Sequence, residues 1–165
     1  PTTMDFSAYL NSGGPAVATG GINWSADANN DASDTYESAD PALEIEGTED
    51  DDLYRTEVFD LDAFTYDIPV PGEATLDVSL HFAEIFHGVE NGNGVGSRVF
   101  DVDVENQGSL SNYDIIEEAG AAATAVVETF SNISVTDGSL TITFTTVTDA
   151  AKVNAVEVSG TYIVP

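Results

Sequence analysis

Apolar and polar side chains alternate along several segments of the chain. The alternation is clearest at residues 74–86, and it recurs at 100–105 and at 140–145, where acidic residues or Thr separate the apolar positions. Because successive side chains of a β-strand point to opposite faces, each pattern predicts a strand with one buried and one solvated face. Shorter segments predict further strands: Phe6–Leu10, Leu43–Glu46, Phe64–Val70, Ala125–Phe130 and Val153–Val158.

The segments between the predicted strands are rich in Gly, Asp, Asn and Ser, which favour turns. Three of them are expected at the surface, where binding loops lie: Asp27–Asp40, Glu49–Asp52 and Gly88–Ser97. One stretch, residues 113–119, has a helical pattern, and Gly120 ends it after one or two turns. No internal repeat or linker is visible, so we expect residues 1–165 to form a single all-β domain, a sandwich.

The charge of the chain is strongly one-sided. Thirty Asp and Glu residues stand against three basic ones and give a formal net charge of −27, although 42% of the residues are hydrophobic. The apolar content argues against disorder. Such self-repulsion must be screened, as in halophilic proteins, so the charge predicts a salty habitat. Bound Ca²⁺ is a second way to screen it, and the two are not exclusive.

Two candidate metal sites are weak. The run Asp27-x-Asn29-x-Asp31 begins like an EF-hand loop, but Ala32 replaces the required Gly and Ser38 the bidentate Glu. A looser Ca²⁺ site in this loop stays open, against a solvated acidic surface. His81 and His87 are six residues apart and would share a side if the strand continued that far, but no third nitrogen or thiolate is near.

Several classes of function are disfavoured. With 30 acidic residues, a pair of carboxylates at glycosidase spacing is expected by chance, and the common hydrolase, zincin and nucleotide-binding motifs are absent, so we expect no enzymatic activity. Nucleic acid is disfavoured as a partner because phosphate binding needs Lys and Arg. No apolar run is long enough to insert into a membrane. The chain has no Cys and hence no disulfide framework.

Aromatic residues are divided between two kinds of position. Phe82, Phe100 and Phe144 fall at alternating core positions, whereas Trp24, Tyr36, Phe59 and Phe86 fall in or beside loops or at strand ends. A sugar offers apolar C–H faces to an aromatic plane and hydroxyls to carboxylates and amides. The second set therefore suits carbohydrate binding, while each ring taken singly could equally cap the core.

Several segments together resemble the malectin domain, which is also described as a carbohydrate-binding module. They are Leu10–Gly14, Trp24–Asp27, Gly47–Glu57, Pro69–Pro71, Leu80–Phe86, Arg98–Val102 and Tyr113–Ile115. The resemblance covers roughly residues 8–159. It implies a galactose-binding-like β-sandwich (jelly-roll) of two antiparallel sheets, with a sugar pocket formed by loops at one end.

The resemblance also implies which residues contact the sugar: Tyr36, Phe59, Phe86, His87 and Asp149. Phe59 and Phe86 stand where the animal pattern has Tyr, and His87 stands where it has Phe. Stacking on the rings is retained, but two hydroxyls are lost. The diglucosylated N-glycan bound by the animal protein is therefore not assumed, and another glucose-containing oligo- or polysaccharide is expected.

Two functional hypotheses follow. The first is a non-catalytic carbohydrate-binding module of a larger multidomain protein, outside the cell or on its surface, that requires no cofactor. The second is a structural or adhesive surface domain that uses the fold for protein contacts and Ca²⁺ cross-linking. Neighbouring domains would discriminate them, because a glycosidase favours the first and tandem β-domains favour the second.

Overall fold

The fold is almost entirely β-structure. A computed structural model describes residues 1–165 as thirteen strands with one short α-helix and one 3-10 helix. The strands are β1 Thr3–Asn11, β2 Val17–Thr19, β3 Ile22–Ala26, β4 Asp34–Glu37, β5 Thr56–Asp60, β6 Ala63–Pro69, β7 Ala74–Phe82, β8 Val99–Val104, β9 Gly108–Tyr113, β10 Val126–Val135, β11 Ser139–Thr148, β12 Ala151–Val153 and β13 Ala155–Ile163. The 3-10 helix is Asp51–Tyr54, and α1 is Ile115–Ala119. Neither of these short helices has the length or the hydropathy of a membrane-spanning helix.

The strands form three sheets. A six-stranded sheet has the order β10-β7-β13-β1-β3-β2, and a four-stranded sheet has the order β6-β11-β8-β9. A small sheet, β12-β5-β4, completes the fold. All pairings are antiparallel except that of β1 with β3. The first and last strands pair along their whole length, from Thr3 opposite Ile163 to Asn11 opposite Ala155.

The main hydrophobic core consists of 25 buried residues contributed by all three sheets. Strand β7 illustrates how it forms, because Leu76, Val78, Leu80 and Phe82 are at most 1% exposed while alternate residues face outward. The same alternation buries Phe144 of β11, whose ring stacks on that of Phe64 at 4.5 Å. Removing these side chains from water is the dominant favourable term in folding.

The structure confirms the predicted all-β sandwich but changes several boundaries. The strand predicted at 74–86 ends at Phe82, and residues 83–86 form an irregular bend that leads into a turn at 87–90. The predicted strand Leu43–Glu46 is wrong, because this segment is irregular and makes only one isolated bridge, from Glu46 to Thr124. The predicted loop Asp27–Asp40 contains strand β4.

The predicted helical turn is present as α1. The side chain of Asp114 caps its start by accepting from the backbone N–H of Glu117, and Gly120 ends it in the left-handed conformation at φ 91°. Asp114 also accepts from the backbone N–H of Gly96 at 2.6 Å. The cap therefore fastens the Gly-rich loop to the body of the domain.

Candidate functional site

One pocket of about 190 Å³ opens beside the small sheet β12-β5-β4. This volume lies below the ~300–1,000 Å³ usual for ligand pockets, so the cavity suits one small ring better than an extended molecule. Five of its eight lining residues are hydrophobic; the eight are Tyr36, Glu57, Phe59, Leu61, Phe86, Arg98, Asp149 and Ala150. The pocket therefore combines apolar walls with three charged side chains.

Strand alternation brings the first wall together. Tyr36 of β4 is paired with Glu57 of β5, and Phe59 follows Glu57 by two residues, so all three side chains point to the same face of the small sheet. The intervening residue, Val58, points the other way and is buried in the main core. Strand β5 thus contributes one face to the pocket and the other to the interior.

The turn after β7 presents Phe86 to the same cavity. The Glu84 carboxylate accepts from the backbone N–H groups of Phe86 and His87, at 3.1 and 3.3 Å. These bonds fix the turn and leave the Phe86 side chain on the surface, 38% exposed. Its ring meets that of Tyr36 edge to face at 5.6 Å, a favourable arrangement of two aromatic quadrupoles.

Asp149 lies in the tight connection between β11 and β12. A register shift between Thr146 and Thr148 ends the regular pairing of β11, and Asp149 adopts a left-handed backbone with φ 69°. Its Oδ2 lies 3.2 Å from His87 Nε2 and 3.6 Å from Arg98 Nη1, while 42% of its side chain stays exposed. The carboxylate therefore faces the pocket with one oxygen held from behind.

Two buried cations lie beneath the pocket. Arg98 donates from Nε to Glu84 at 2.6 Å and from Nη1 to the carbonyl of Ala150 at 2.7 Å. Lys152, which is fully buried, donates from Nζ to Glu57 at 2.9 Å and to the carbonyl of Ala83 at 2.5 Å. Two of the three basic residues in the chain thus tie together the segments that carry the pocket walls.

The charge balance of this network is visible in its pKa shifts. Burial alone would raise the pKa of Glu84, but the charges of Lys152 and Arg98 outweigh it and hold the net pKa below its ordinary value. Burial would lower the pKa of Arg98, and the neighbouring Glu57 and Glu84 carboxylates raise it instead. Both groups are therefore ionised at neutral pH.

The hydroxyl of Tyr36 also remains protonated at neutral pH. Burial, followed by the negative charge of Glu90, raises its pKa above the ordinary value. The hydroxyl can therefore act as both donor and acceptor toward a ligand.

His87 supports Asp149 from behind. Asn91 Oδ1 accepts from the backbone N–H groups of Gly88 and Asn93, so its amide Nδ2 points at His87 Nδ1 from 3.3 Å. The side-chain amide of Asn93 lies at the same distance from Nδ1, so in the neutral ring the hydrogen-bond network assigns Nδ1 as the acceptor and places the hydrogen on Nε2, toward Asp149. This hydrogen bond orients the carboxylate toward the cavity.

The structure brings together four of the five residues that the sequence predicts to contact a sugar. Tyr36, Phe59, Phe86 and Asp149 all line the pocket. The fifth, His87, is only 6% exposed and lies one layer behind, against Asp149. Sugar contact at these positions stays a prediction.

Sequence reasoning did not identify Glu57, Leu61, Arg98 and Ala150 as lining residues. Two signals were available for the charged pair. Glu57 and Arg98 both stand within segments that carry the family resemblance, and Arg98 is one of only three basic residues. Leu61 and Ala150 carry no comparable signal.

The structure decides two questions that the sequence left open. Trp24 belongs to the core and not to an exposed site, because it is 4% exposed and packs edge-on against Tyr9 and His81. The condition for His81 and His87 to share a side is not met, because β7 ends at Phe82, between them. His81 instead bonds to Tyr54 and Glu157, each at 2.9 Å.

The candidate Ca²⁺ loop is organised by internal hydrogen bonds. Asp27 accepts from the side chain of Asn30 and from the hydroxyl of Tyr66, the latter at 2.7 Å. Asp31 accepts from the backbone N–H of Thr65 at 2.7 Å. No three His, Asp or Glu side chains of the chain converge so as to hold a metal ion.

The sequence matches a family model described as the Malectin domain over residues 6–163. Malectin-B of Xenopus laevis is 32% identical over 114 residues, which cover 69% of this chain and 39% of that protein. A probable leucine-rich repeat receptor-like serine/threonine-protein kinase of Arabidopsis thaliana is 35% identical over 81 residues, which cover 48% of this chain and 8% of the kinase. The chain thus spans only a minor part of these relatives.

Solved structures show the same fold. The ANX1 ectodomain from Arabidopsis thaliana has a TM-score of 0.77 at 17% identity, with 94% of this chain and 48% of that chain covered. A chain in the complex of plant peptide RALF23 with FER and LLG2 also has a TM-score of 0.77, at 19% identity, with 96% and 49% covered. At these identities the likeness concerns the fold alone.

Proposed function

The chain belongs to the malectin domain family, and on this premise we propose that it is a non-catalytic carbohydrate-binding module that recognises a glucose-containing oligo- or polysaccharide. The observation that carries the proposal is the convergence of Tyr36, Phe59, Phe86 and Asp149 from four separate segments on one pocket. Aromatic faces with a carboxylate beside them suit the apolar C–H faces and the hydroxyls of a pyranose ring.

The size of the pocket limits what enters it. A cavity of about 190 Å³ accepts one sugar unit, so the rest of a polysaccharide would lie across the exposed rim. Leu61, which is 69% exposed, and the Phe86 ring form part of that rim. Binding is therefore expected to depend mainly on one unit, with modest gains from longer chains.

The proposal includes a location and a context. The ANX structures are described as ectodomains, and this supports a place outside the cell or on its surface. The matched relatives are much longer than this chain, which supports a part in a larger multidomain protein. No cofactor is proposed.

The test is glycan binding in about 2 M NaCl, a concentration at which surface charges are screened. The protein is applied to a glycan array and to insoluble glucans, with Tyr36→Ala and Asp149→Ala as pocket variants. Tyr162→Ala and Asp5→Ala, which remove the same groups far from the pocket, serve as controls. Loss of binding in the pocket variants alone supports the proposal, and absence of binding to every glucan contradicts it.

A second candidate function is a protein-contacting surface domain, with or without Ca²⁺. It is favoured by the likeness to a chain in a solved peptide complex and by the excess of carboxylates. This alternative predicts that Ca²⁺ raises the melting temperature while soluble sugars leave it unchanged. The opposite result favours the carbohydrate-binding module.

A further inference from the structure

We infer that Glu57 and Arg98 contact the ligand directly and determine the specificity of the pocket, by forming hydrogen bonds to one free hydroxyl of a neutral sugar. This inference rests on the proposed function. It concerns the floor of the same pocket, which consists of Glu57, Glu84, Arg98 and Lys152. It assigns a ligand-binding role to two charged residues, in addition to the aromatic walls and Asp149.

Glu57 has one carboxylate oxygen available to a ligand. The residue lines the pocket and is 1% exposed, and its Oε1 accepts from Lys152 Nζ at 2.9 Å. No buried side-chain oxygen or nitrogen in the protein lacks a hydrogen-bond partner. Since Oε2 has no partner within the protein, it must reach the solvent of the pocket, where it can accept from a ligand hydroxyl.

Arg98 has uncommitted donors in the lining of the same pocket. A guanidinium carries five N–H groups. Nε donates to Glu84 Oε1, Nη1 to the carbonyl of Ala150, and Nη2 makes a long contact of 3.4 Å to Glu84 Oε2. Two N–H groups remain, one on each terminal nitrogen; Asp149 Oδ2 lies 3.6 Å from Nη1, beyond hydrogen-bond distance, and Arg98 is a lining residue of the pocket.

The buried counter-charges hold this acceptor and this donor in place before a ligand arrives. Lys152 fixes Glu57, and Glu84 fixes Arg98, so little rotamer freedom is left to lose on binding. A hydroxyl both donates and accepts, and can therefore bond to Glu57 Oε2 and to Arg98 together. Hydrogen bonds to ionised groups are about twice as strong as neutral ones.

The same geometry defines the chemical class of the ligand. Stacking on Tyr36, Phe59 and Phe86 accepts any pyranose with an apolar face, so the rings contribute affinity with little discrimination. We call the hydroxyl that bonds to Glu57 and Arg98 the matched hydroxyl. A sugar that lacks it, or that carries a substituent there, leaves the Glu57 carboxylate and the Arg98 guanidinium without a hydrogen-bond partner. Anionic sugars are disfavoured because the chain carries a net charge of −27.

The first experiment uses the wild-type protein with methyl α-D-glucopyranoside and its four monodeoxy derivatives, by NMR titration. We expect one of the four derivatives, or two that lack adjacent hydroxyls, to bind about 10- to 100-fold more weakly than the parent glycoside. Equal affinity for the parent glycoside and all four derivatives would overturn the inference while leaving the proposed function intact. Absence of binding by the parent glycoside would contradict the proposed function as well.

The second experiment observes Arg98 itself. The chain has only two arginines, so the spectrum holds only two Nε–Hε signals, and Arg55→Lys assigns them. Arg55 Nε donates to the carbonyl of Leu43, away from the pocket, and provides an internal reference. The Arg98 signal should shift with the parent glycoside and not with the derivative that lacks the matched hydroxyl. A stationary Arg98 signal, while Tyr36 and Phe86 signals move, would overturn the inference.

The third experiment replaces the acceptor. Glu57→Gln keeps the shape but puts an amide where the free oxygen was, so affinity for the parent glycoside should fall at least tenfold, about the value of one charged hydrogen bond. The derivative without the matched hydroxyl should bind wild type and variant alike. Glu37→Gln, which makes the same charge change one strand away on the opposite face, is the control. Should Glu57→Gln not fold, the two wild-type experiments still decide.

Discussion

The sandwich interior and the pocket floor are buried to the same extent but in different ways. Between the large sheets, Phe144 and its neighbours exclude water with apolar side chains alone. Beneath the pocket, Glu57, Glu84, Arg98 and Lys152 are 0–5% exposed and are all charged. Apolar burial stabilises in proportion to area, whereas buried ion pairs lose much of their attraction to desolvation. The comparison indicates that the first region holds the fold and the second serves the site.

The largest expected effect is a cavity in the interior. Phe144→Ala removes a fully buried ring that stacks on Phe64, and should lower the free energy of unfolding by about 3–5 kcal/mol. Val147→Ala, on the same strand but 52% exposed, should change it by less than about 0.5 kcal/mol. Urea unfolding in about 2 M NaCl measures both. A fall in the glycan affinity of folded Phe144→Ala would erase the distinction between the regions.

The pocket floor should show a different response. Lys152→Met leaves Glu57 buried without its partner and should cost about 3 kcal/mol. The double variant Glu57→Leu/Lys152→Met removes both charges and should recover most of that loss, while glycan binding stays impaired. Arg55→Met, which removes the more exposed contacts with Asp51 and Asp52 and one hydrogen bond to the carbonyl of Leu43, should cost about 1–2 kcal/mol. If the double variant is no more stable than Lys152→Met, the pair stabilises the fold and the comparison fails.

Salt should weaken the repulsion between surface charges and leave the interactions of the pocket floor unchanged. The net charge of −27 destabilises the fold by repulsion, so raising NaCl from about 0.05 to about 2 M should stabilise wild type by on the order of 2 kcal/mol, the sum of many weak contacts. The difference between wild type and Lys152→Met should stay constant over this range, because buried charges are screened far less. Equal wild-type stability at both concentrations would refute the halophilic interpretation of the charge.

The smallest expected change concerns acid pH. The pKa of Glu84 is lowered in the folded state, so its contribution to stability is complete above its ordinary value of 4.5 and is lost as pH falls through the lower folded value. Glu84→Gln lacks this contribution, so the stability gap to wild type should narrow below about pH 4.5. Glu73→Gln, an exposed substitution, controls for charge. Urea unfolding from pH 7 to pH 3 tests this, and a constant gap would contradict it.

The sequence predicted the interior well because its signal is local. In β7, β8 and β11 each apolar residue is two positions from the next, so the buried face can be recognised within one strand. The same reasoning failed at Leu43–Glu46, where Ile45 is buried although the backbone makes only one bridge. Apolar side chains can be buried by an irregular segment, and periodicity does not distinguish the two cases.

The pocket floor could not be predicted in this way. Strand β5 places Glu57 at a buried position, which breaks the expected apolar pattern, and the charge is balanced only by Lys152, 95 residues further along the chain. Pairs so far apart in sequence leave no local trace. The resemblance to a family identified the pocket walls, but only the fold reveals the ions behind them.

The full-length pairing of β1 with β13 has a consequence for how the domain can be built into larger proteins. Thr3 and Ile163 are neighbours, near the start of β7 at Ala74, whereas Glu84 and the pocket follow the opposite end of that strand. A polypeptide that enters through β1 and leaves through β13 therefore passes through one pole and leaves the other unobstructed. The domain can therefore be inserted into a loop of a host protein through two adjacent chain ends, with the pole that carries the pocket directed away from the host.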